Sequence, residues 1–128
     1  MNLLLCGTGS VGAELLRRLG KKWRVTIVDK DEKRLSALTQ QFESVVRIIA
    51  GDASSPVILE DAGLAEQDYV LALTDSDRVN LAVCRFAKEK GVVNVLGRVT
   101  AHENMPRFEK LGVRPLMLTG LVARNIYQ

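Results

Sequence analysis

Three glycines, Gly7, Gly9 and Gly12, stand in the run CGTGSVG, between the apolar stretch NLLL and a helix-like stretch. An aspartate, Asp29, closes a second apolar run, VTIVD, 22 positions after Gly7 (29 − 7). Residue types at this spacing suit the binding of a nucleotide's phosphates rather than bond-making chemistry. Gly7 permits a tight turn off a strand, Gly9 lets the backbone approach a phosphate, and Gly12 lets the following helix pack close to the sheet. Thr8, Ser10 and Val11 complete a loop that opens a helix, whose free N–H groups and partial positive charge face an anion. A carboxylate at the position of Asp29 can accept hydrogen bonds from the two hydroxyls of a ribose, and it ends a strand rather than filling the core. Asp29 repels a 2′-phosphate, whereas its neighbours Lys30 and Arg34 would attract one.

A second group of polar residues follows later apolar runs: Asp52 and Ala53 in AGDAS, and Thr74 and Asp75 in LTDSDRVN. In an open α/β sheet, ligands bind outside the carboxyl ends of the strands, where the strand order reverses. Asp52 and Ala53 can border an adenine, and Thr74 and Asp75 can line the crevice beside the phosphates. Asp52 and Asp75 equally suit the capping of the helices that follow them.

These residues need a scaffold that brings strand ends together, and the pattern supplies one. Strands are expected at Asn2–Cys6, Arg24–Val28, Val45–Ala50, Tyr69–Leu73, Val93–Gly97 and Arg114–Leu118, most of them continuous in Val, Ile and Leu and so covered on both faces. Helices alternate with them. Val11, Leu15, Leu16 and Leu19 mark the first, ended by Gly20, and Leu35, Leu38 and Phe42 the second. Pro56 opens a short third helix ended by Gly63. Val79, Ala82, Val83 and Phe86 mark the fourth, capped by Ser76 or Asp77 and ended by Gly91. Thr100 to Glu103 reads as a capping box opening a fifth, ended by Gly112, and a last helix is expected over 119–128. Strict alternation implies an α/β fold with a doubly wound, mainly parallel six-stranded sheet. No linker or repeat interrupts it, so residues 1–128 read as one domain.

Composition narrows the function. Of 128 residues, 47% are hydrophobic and 26% charged, with a net charge of +3, which is ordinary globular material. The basic residues are scattered and aromatic residues make up only 5%, which argues against nucleic-acid binding. No apolar run reaches the ~20 residues of a membrane span, and MNLLLCG lacks the features of a secretory leader. Cys6 and Cys84 read as buried free thiols, and with a single histidine, His102, no metal cluster is expected. Dehydrogenase chemistry would need a proton donor beside the cofactor. Tyr69 has Leu73, not lysine, four residues on. Tyr127 lies at the terminus, and His102 is expected at the start of a surface helix. A nucleotide site without visible chemistry favours a sensor over a catalyst.

The segments MNLLLCGTGSVGAELLRRL, VTIVDKDEKRL, IIAGDASSPVILEDAGLAEQDYVLALTDSDRVNLAVCRFAKE and VLGRVTAHEN resemble the RCK domain, also called TrkA-N or KTN, across essentially the whole chain. Its most specific marks are Gly51-Asp52 with the small residues after it, the segment ending in Asn80, and the Arg98 segment. The resemblance implies a Rossmann-like fold with strand order 3-2-1-4-5-6 and a cytoplasmic domain at the inner face of the membrane. It also implies NAD(H) or an adenine nucleotide (ATP or ADP) as ligand, and homodimers assembling into a ring on a membrane potassium transporter or channel. Gly7, Gly9, Gly12, Asp29, Asp52, Ala53 and Thr74 carry over as nucleotide contacts. Ser10 stands where some members have an arginine that reaches a terminal phosphate. Arg98 can supply positive charge near that phosphate or near a neighbouring subunit, or be a plain surface charge. The acidic calcium ligands of some channel members have no counterpart at Arg98 and Thr100, and the C-terminal ligand-binding domain common in the family has none in these residues. A stripe of Leu118, Leu121, Val122 and Ile126 on the last helix is expected to form part of a dimer contact. The competing readings are an NAD-dependent oxidoreductase fragment lacking its substrate domain, and a nucleotide sensor acting on another partner.

Overall fold

A computed structural model describes residues 1–117. Six strands, β1 (Asn2–Cys6), β2 (Arg24–Asp29), β3 (Val45–Ala50), β4 (Tyr69–Ala72), β5 (Asn94–Arg98) and β6 (Arg114–Leu116), form one sheet in the order β3-β2-β1-β4-β5-β6. Every pairing is parallel. This is the Rossmann-like order expected from the sequence. Five helices connect the strands: α1 (Gly9–Arg18), α2 (Glu32–Gln41), α3 (Pro56–Asp61), α4 (Asp77–Glu89) and α5 (Met105–Lys110). The expected strands are present, β1 and β3 with the expected bounds and the others with ends shifted by one or two residues.

Strand alternation divides the core into two layers. Leu3, Leu5, Val25 and Ile27 face α1 and α2, where Leu16, Leu35 and Leu38 cover them. Leu4, Cys6, Val28, Val70 and Ala72 face the other way, against Leu59 of α3, Val79 and Val83 of α4 and Phe108 of α5. Helices on both faces leave β1 buried from Leu3 to Cys6. The edge strand β3 departs from the both-faces expectation: Val46 and Arg47 are exposed, because β3 has a neighbouring strand on one side alone and α2 covers it through Val45 and Ile48.

Three of the glycines expected to end helices do so in the left-handed conformation: Gly63, Gly91 and Gly112, with φ of 72°, 84° and 74°. Gly20 does not. Helix α1 stops at Arg18, and Leu19 turns the chain out with an extended backbone, its N–H still donating to the Leu15 carbonyl. The capping box at Thr100 is also absent. The Thr100 hydroxyl donates to Asp77 Oδ1 at 2.9 Å instead, His102–Asn104 make a single 3-10 turn, and α5 starts only at Met105. The Asp77 carboxylate at the start of α4 also takes the Thr100 N–H, at 2.7 Å, the donor that Glu103 would accept from in a capping box. Residues 119–128, the expected last helix, and the apolar stripe from Leu118 to Ile126 lie outside the described residues.

Candidate functional site

The glycine loop forms where β1 hands over to α1. Gly7 has a φ of +84°, and its N–H donates to the Val28 carbonyl at 2.9 Å. A Cβ on Gly7 would lie 2.7 Å from the backbone N of Thr74, so glycine is required here both by conformation and by the approach of the β4 end. At Gly12 a Cβ would lie 3.3 Å from the Gly7 carbonyl oxygen and 3.5 Å from Leu5, the tight helix-to-strand packing that the spacing predicts. Gly9 is different: a Cβ there would meet no atom within 4 Å. Neither backbone conformation nor packing within the domain asks for glycine at this position. Thr8 precedes α1, no side chain caps the helix, and no acid stands in its first turn. Its leading N–H groups therefore have no intrahelical acceptor.

Asp29 faces this loop. Its Oδ2 accepts hydrogen bonds from the Thr8 N–H at 3.1 Å and the Thr8 hydroxyl at 2.6 Å, with an Arg34 nitrogen at 3.4 Å. Its Oδ1 accepts from the Asp31 N–H at 3.0 Å. The side chain is 9% exposed. Burial works against its charge, but the bonds from Thr8 and Asp31 and the nearby guanidinium outweigh that, and the carboxyl is held below the usual aspartate range. Asp29 is thus more than a strand end at the surface. It ties the glycine loop to β2, and Oδ1 retains the greater capacity for a further donor.

Asp52 follows β3. Its Oδ1 accepts from the Ser54 N–H and hydroxyl, at 2.8 and 2.7 Å, and these bonds lower its carboxyl below the usual range. Neither Asp52 nor Asp75 caps a helix. Ser55 caps α3 by accepting from the Ile58 N–H, and Ser76 caps α4 by accepting from the Val79 N–H. Asp75 stands exposed on the rim.

These strand ends surround one cleft of about 360 Å³. Of the residues expected at a ligand site, Gly7, Thr8, Gly9, Asp29, Lys30, Asp52, Ala53, Thr74, Asp75 and Arg98 line it. Ser10, Val11 and Gly12 do not: Ser10 is exposed on α1, Val11 is half-buried against the α1–α2 layer, and Gly12 is buried behind the loop. Arg34, Gly51, Ser76 and Val79 line the cleft as well. Arg34, marked in the sequence as a basic neighbour of Asp29, stands in the first turn of α2. Gly51 has a packing reason, since a Cβ would lie 3.0 Å from Ile58 Cδ1.

Behind the β4 side of the cleft lies Asn80, fully buried. Its Oδ1 accepts from the Thr74 N–H and hydroxyl, and its Nδ2 donates to the carbonyls of Thr74 and Arg98. The signal for it in the sequence was a polar residue on the face of α4 that carries Val79 and Val83. Among the described residues, those lining the cleft include no histidine, cysteine or tyrosine, and no group of three or more His, Cys, Asp or Glu is close enough to hold a metal ion. No described helix is long and apolar enough to cross a membrane.

Residues 3–118 match the TrkA-N domain family. The chain belongs to the TrkA-N family. A Trk system potassium uptake protein TrkA homolog of Archaeoglobus fulgidus is 36% identical over 107 residues, covering 84% of this chain and 24% of that protein. The TrkA protein of Vibrio alginolyticus is 35% identical over 88 residues, covering 68% of this chain and 19% of the relative. The chain thus spans a quarter or less of the length of these two TrkA relatives. In fold, this TrkA-N domain resembles the TrkA-N domain of the inner membrane protein ybaL from Escherichia coli, with a TM-score of 0.85 at 18% identity over 98% of this chain and 93% of that one. It also resembles the GsuK channel bound to NAD, with a TM-score of 0.81 at 17% identity over 97% of this chain and 22% of that one.

Proposed function

We propose that this TrkA-N domain binds an adenine nucleotide, NAD(H), ATP or ADP, in the cleft, and regulates a membrane potassium transporter or channel without catalysing a reaction. The observation that carries the reading is the pairing of an uncapped α1 N-terminus with Gly9, whose missing side chain leaves open space and serves nothing inside the domain. A phosphate there would take the free N–H groups. Asp29 Oδ1 would accept from a ribose hydroxyl, and Asp52 and Ala53 would border the adenine. Thr74, Asp75 and Arg98 would contact the remainder of the ligand. The cleft carboxylates Asp29 and Asp52 are held in the charged state, which suits them to accept hydrogen bonds and makes them poor proton donors at neutral pH.

Kinship with Trk potassium uptake proteins and the fold shared with the GsuK channel support a membrane transporter or channel as partner. The whole chain acts as one such domain. It sits at the inner face of the membrane through its partner and assembles as homodimers into a ring. Nucleotide exchange would shift the ring between conformations that bind the nucleotides with different affinity, the requirement for coupling.

The test is calorimetric titration of NADH, ATP and ADP into the parent, Asp29→Ala and Asp29→Asn. All three ligands share the adenosine ribose. Loss of charge-assisted bonds should weaken each by about tenfold to a few hundredfold in Asp29→Ala. Asp29→Asn, which keeps one carbonyl acceptor, should lose less. Unchanged affinity in a folded Asp29→Ala would overturn the site assignment.

A further inference from the structure

We infer that Asn80 is a positioning residue for the half of the nucleotide bound on the β4–β5 side, without touching the ligand itself. This rests on the nucleotide reading above. The side chain is fully buried, yet it uses the full hydrogen-bonding capacity of an amide on two other segments. Oδ1 takes the Thr74 N–H at 3.0 Å and the Thr74 hydroxyl at 2.6 Å, and Nδ2 reaches the carbonyls of Thr74 at 3.0 Å and Arg98 at 2.9 Å. One amide therefore sets the distance between the end of β4 and the end of β5, and Thr74 and Arg98 both line the cleft. It also fixes how Thr74 presents itself. With its proton on Asn80, the hydroxyl accepts from the Ser76 N–H at 3.2 Å and keeps an acceptor lone pair for a ligand donor.

A carboxylate reinforces the placement of the same loop. Asp77 accepts from the N–H groups of Thr100 and Ala101, from the Thr100 hydroxyl and from Asn104 Nδ2. The segment after β5 is thus tied to the first turn of α4 through Asn80 and Asp77.

The sheet order makes this wall selective. Asp29 and Asp52 belong to β2 and β3, the glycine loop to β1 in the middle, and Thr74 and Arg98 to β4 and β5. From β3 to β5 there are four inter-strand steps of about 4.8 Å, roughly 19 Å in all. A mononucleotide seated on Asp29, its phosphate at the glycine loop beside Thr74, stops short of Arg98, three strands from β2, whereas a dinucleotide spans both halves. Asn80 should therefore matter for NADH and little for AMP.

The experiment titrates NADH and AMP into the parent, Asn80→Ala and Asn80→Asp, with thermal unfolding to confirm each fold. Asn80→Ala should weaken NADH by about tenfold or more while AMP stays within about threefold. Asn80→Asp keeps the two bonds from Thr74 but sets a carboxylate oxygen against the carbonyls of both Thr74 and Arg98, so NADH affinity should again fall while AMP holds. If the Ala variant does not fold, a selective loss of NADH in the Asp variant decides for the inference. Folded variants that bind NADH as tightly as the parent, or lose NADH and AMP in equal proportion, would overturn it alone. A parent that binds neither ligand would overturn the nucleotide reading and this inference with it.

Discussion

Thr8 and Asp29 are joined twice: Asp29 Oδ2 accepts from both the Thr8 N–H, at 3.1 Å, and the Thr8 hydroxyl, at 2.6 Å. The glycine loop is thereby anchored to the end of β2 before any ligand arrives, which lowers the ordering cost of binding. Thr8→Val removes the hydroxyl bond and keeps the shape of a buried side chain. It should lower stability by about 1–2 kcal/mol, the worth of a hydrogen bond to a partly exposed charge. It should also let the Asp29 pKa rise towards its ordinary value, which an NMR titration of the carboxyl would report.

Gly7 should be the loop position where substitution damages the fold. Gly7→Ala places a Cβ 2.7 Å from the Thr74 N in a backbone conformation with φ of +84°. Strain and overpacking together should cost about 2–4 kcal/mol, read by denaturant unfolding.

Acid should destabilise the domain through three aspartates. Hydrogen bonds from Ser54 lower Asp52. For Asp29 and Asp77 burial opposes the charge, but bonds from Thr8 and Asp31, and from Asn104, Ala101 and Thr100, outweigh it. A carboxyl whose folded pKa is depressed contributes stability that is fully present above its unfolded pKa, about 3.9 for aspartate, and is lost as pH falls through the lower folded value. Unfolding followed from pH 6 to pH 2 should therefore show a stability loss beginning near pH 4. Asp77→Asn should flatten that loss.

The two cysteines should be inert while the fold holds. Cys6 and Cys84 are free and buried on the α3–α5 side of the sheet. Burial pushes the Cys84 thiol up to about 12 and the Cys6 thiol higher still. A maleimide at pH 7.5 should label neither thiol in native protein and both in denaturant.

The strands were legible because parallel strands buried on both faces must be continuous in Val, Ile and Leu, and the ends of α3, α4 and α5 because Gly63, Gly91 and Gly112 take the left-handed conformation that only glycine adopts freely. That the glycine loop and Asp29 line one cleft was legible for a similar local reason, since their placement follows from spacing along adjacent segments. What escaped the sequence was long-range. The Thr100 hydroxyl abandons its capping box for Asp77, 23 residues earlier, and Asn80 looks like a polar interruption of α4 until Arg98, 18 residues on, is beside it. The bond from Thr8 to Asp29 belongs to this class too: each residue was singled out, but their mutual engagement depends on the register of β1 and β2.

The central claim, that the cleft at the glycine loop takes the phosphates of an adenine nucleotide, is tested most directly by titrating ADP and NADH into the parent and Gly9→Val. A Cβ at Gly9 meets no protein atom within 4 Å, so the variant should keep the stability of the parent to within about 1 kcal/mol while filling the space a phosphate needs. The parent should bind both nucleotides, and Gly9→Val should lose about a hundredfold or more with the melting temperature nearly unchanged. A parent that binds neither nucleotide, or a folded Gly9→Val that binds both as tightly as the parent, would contradict the central claim.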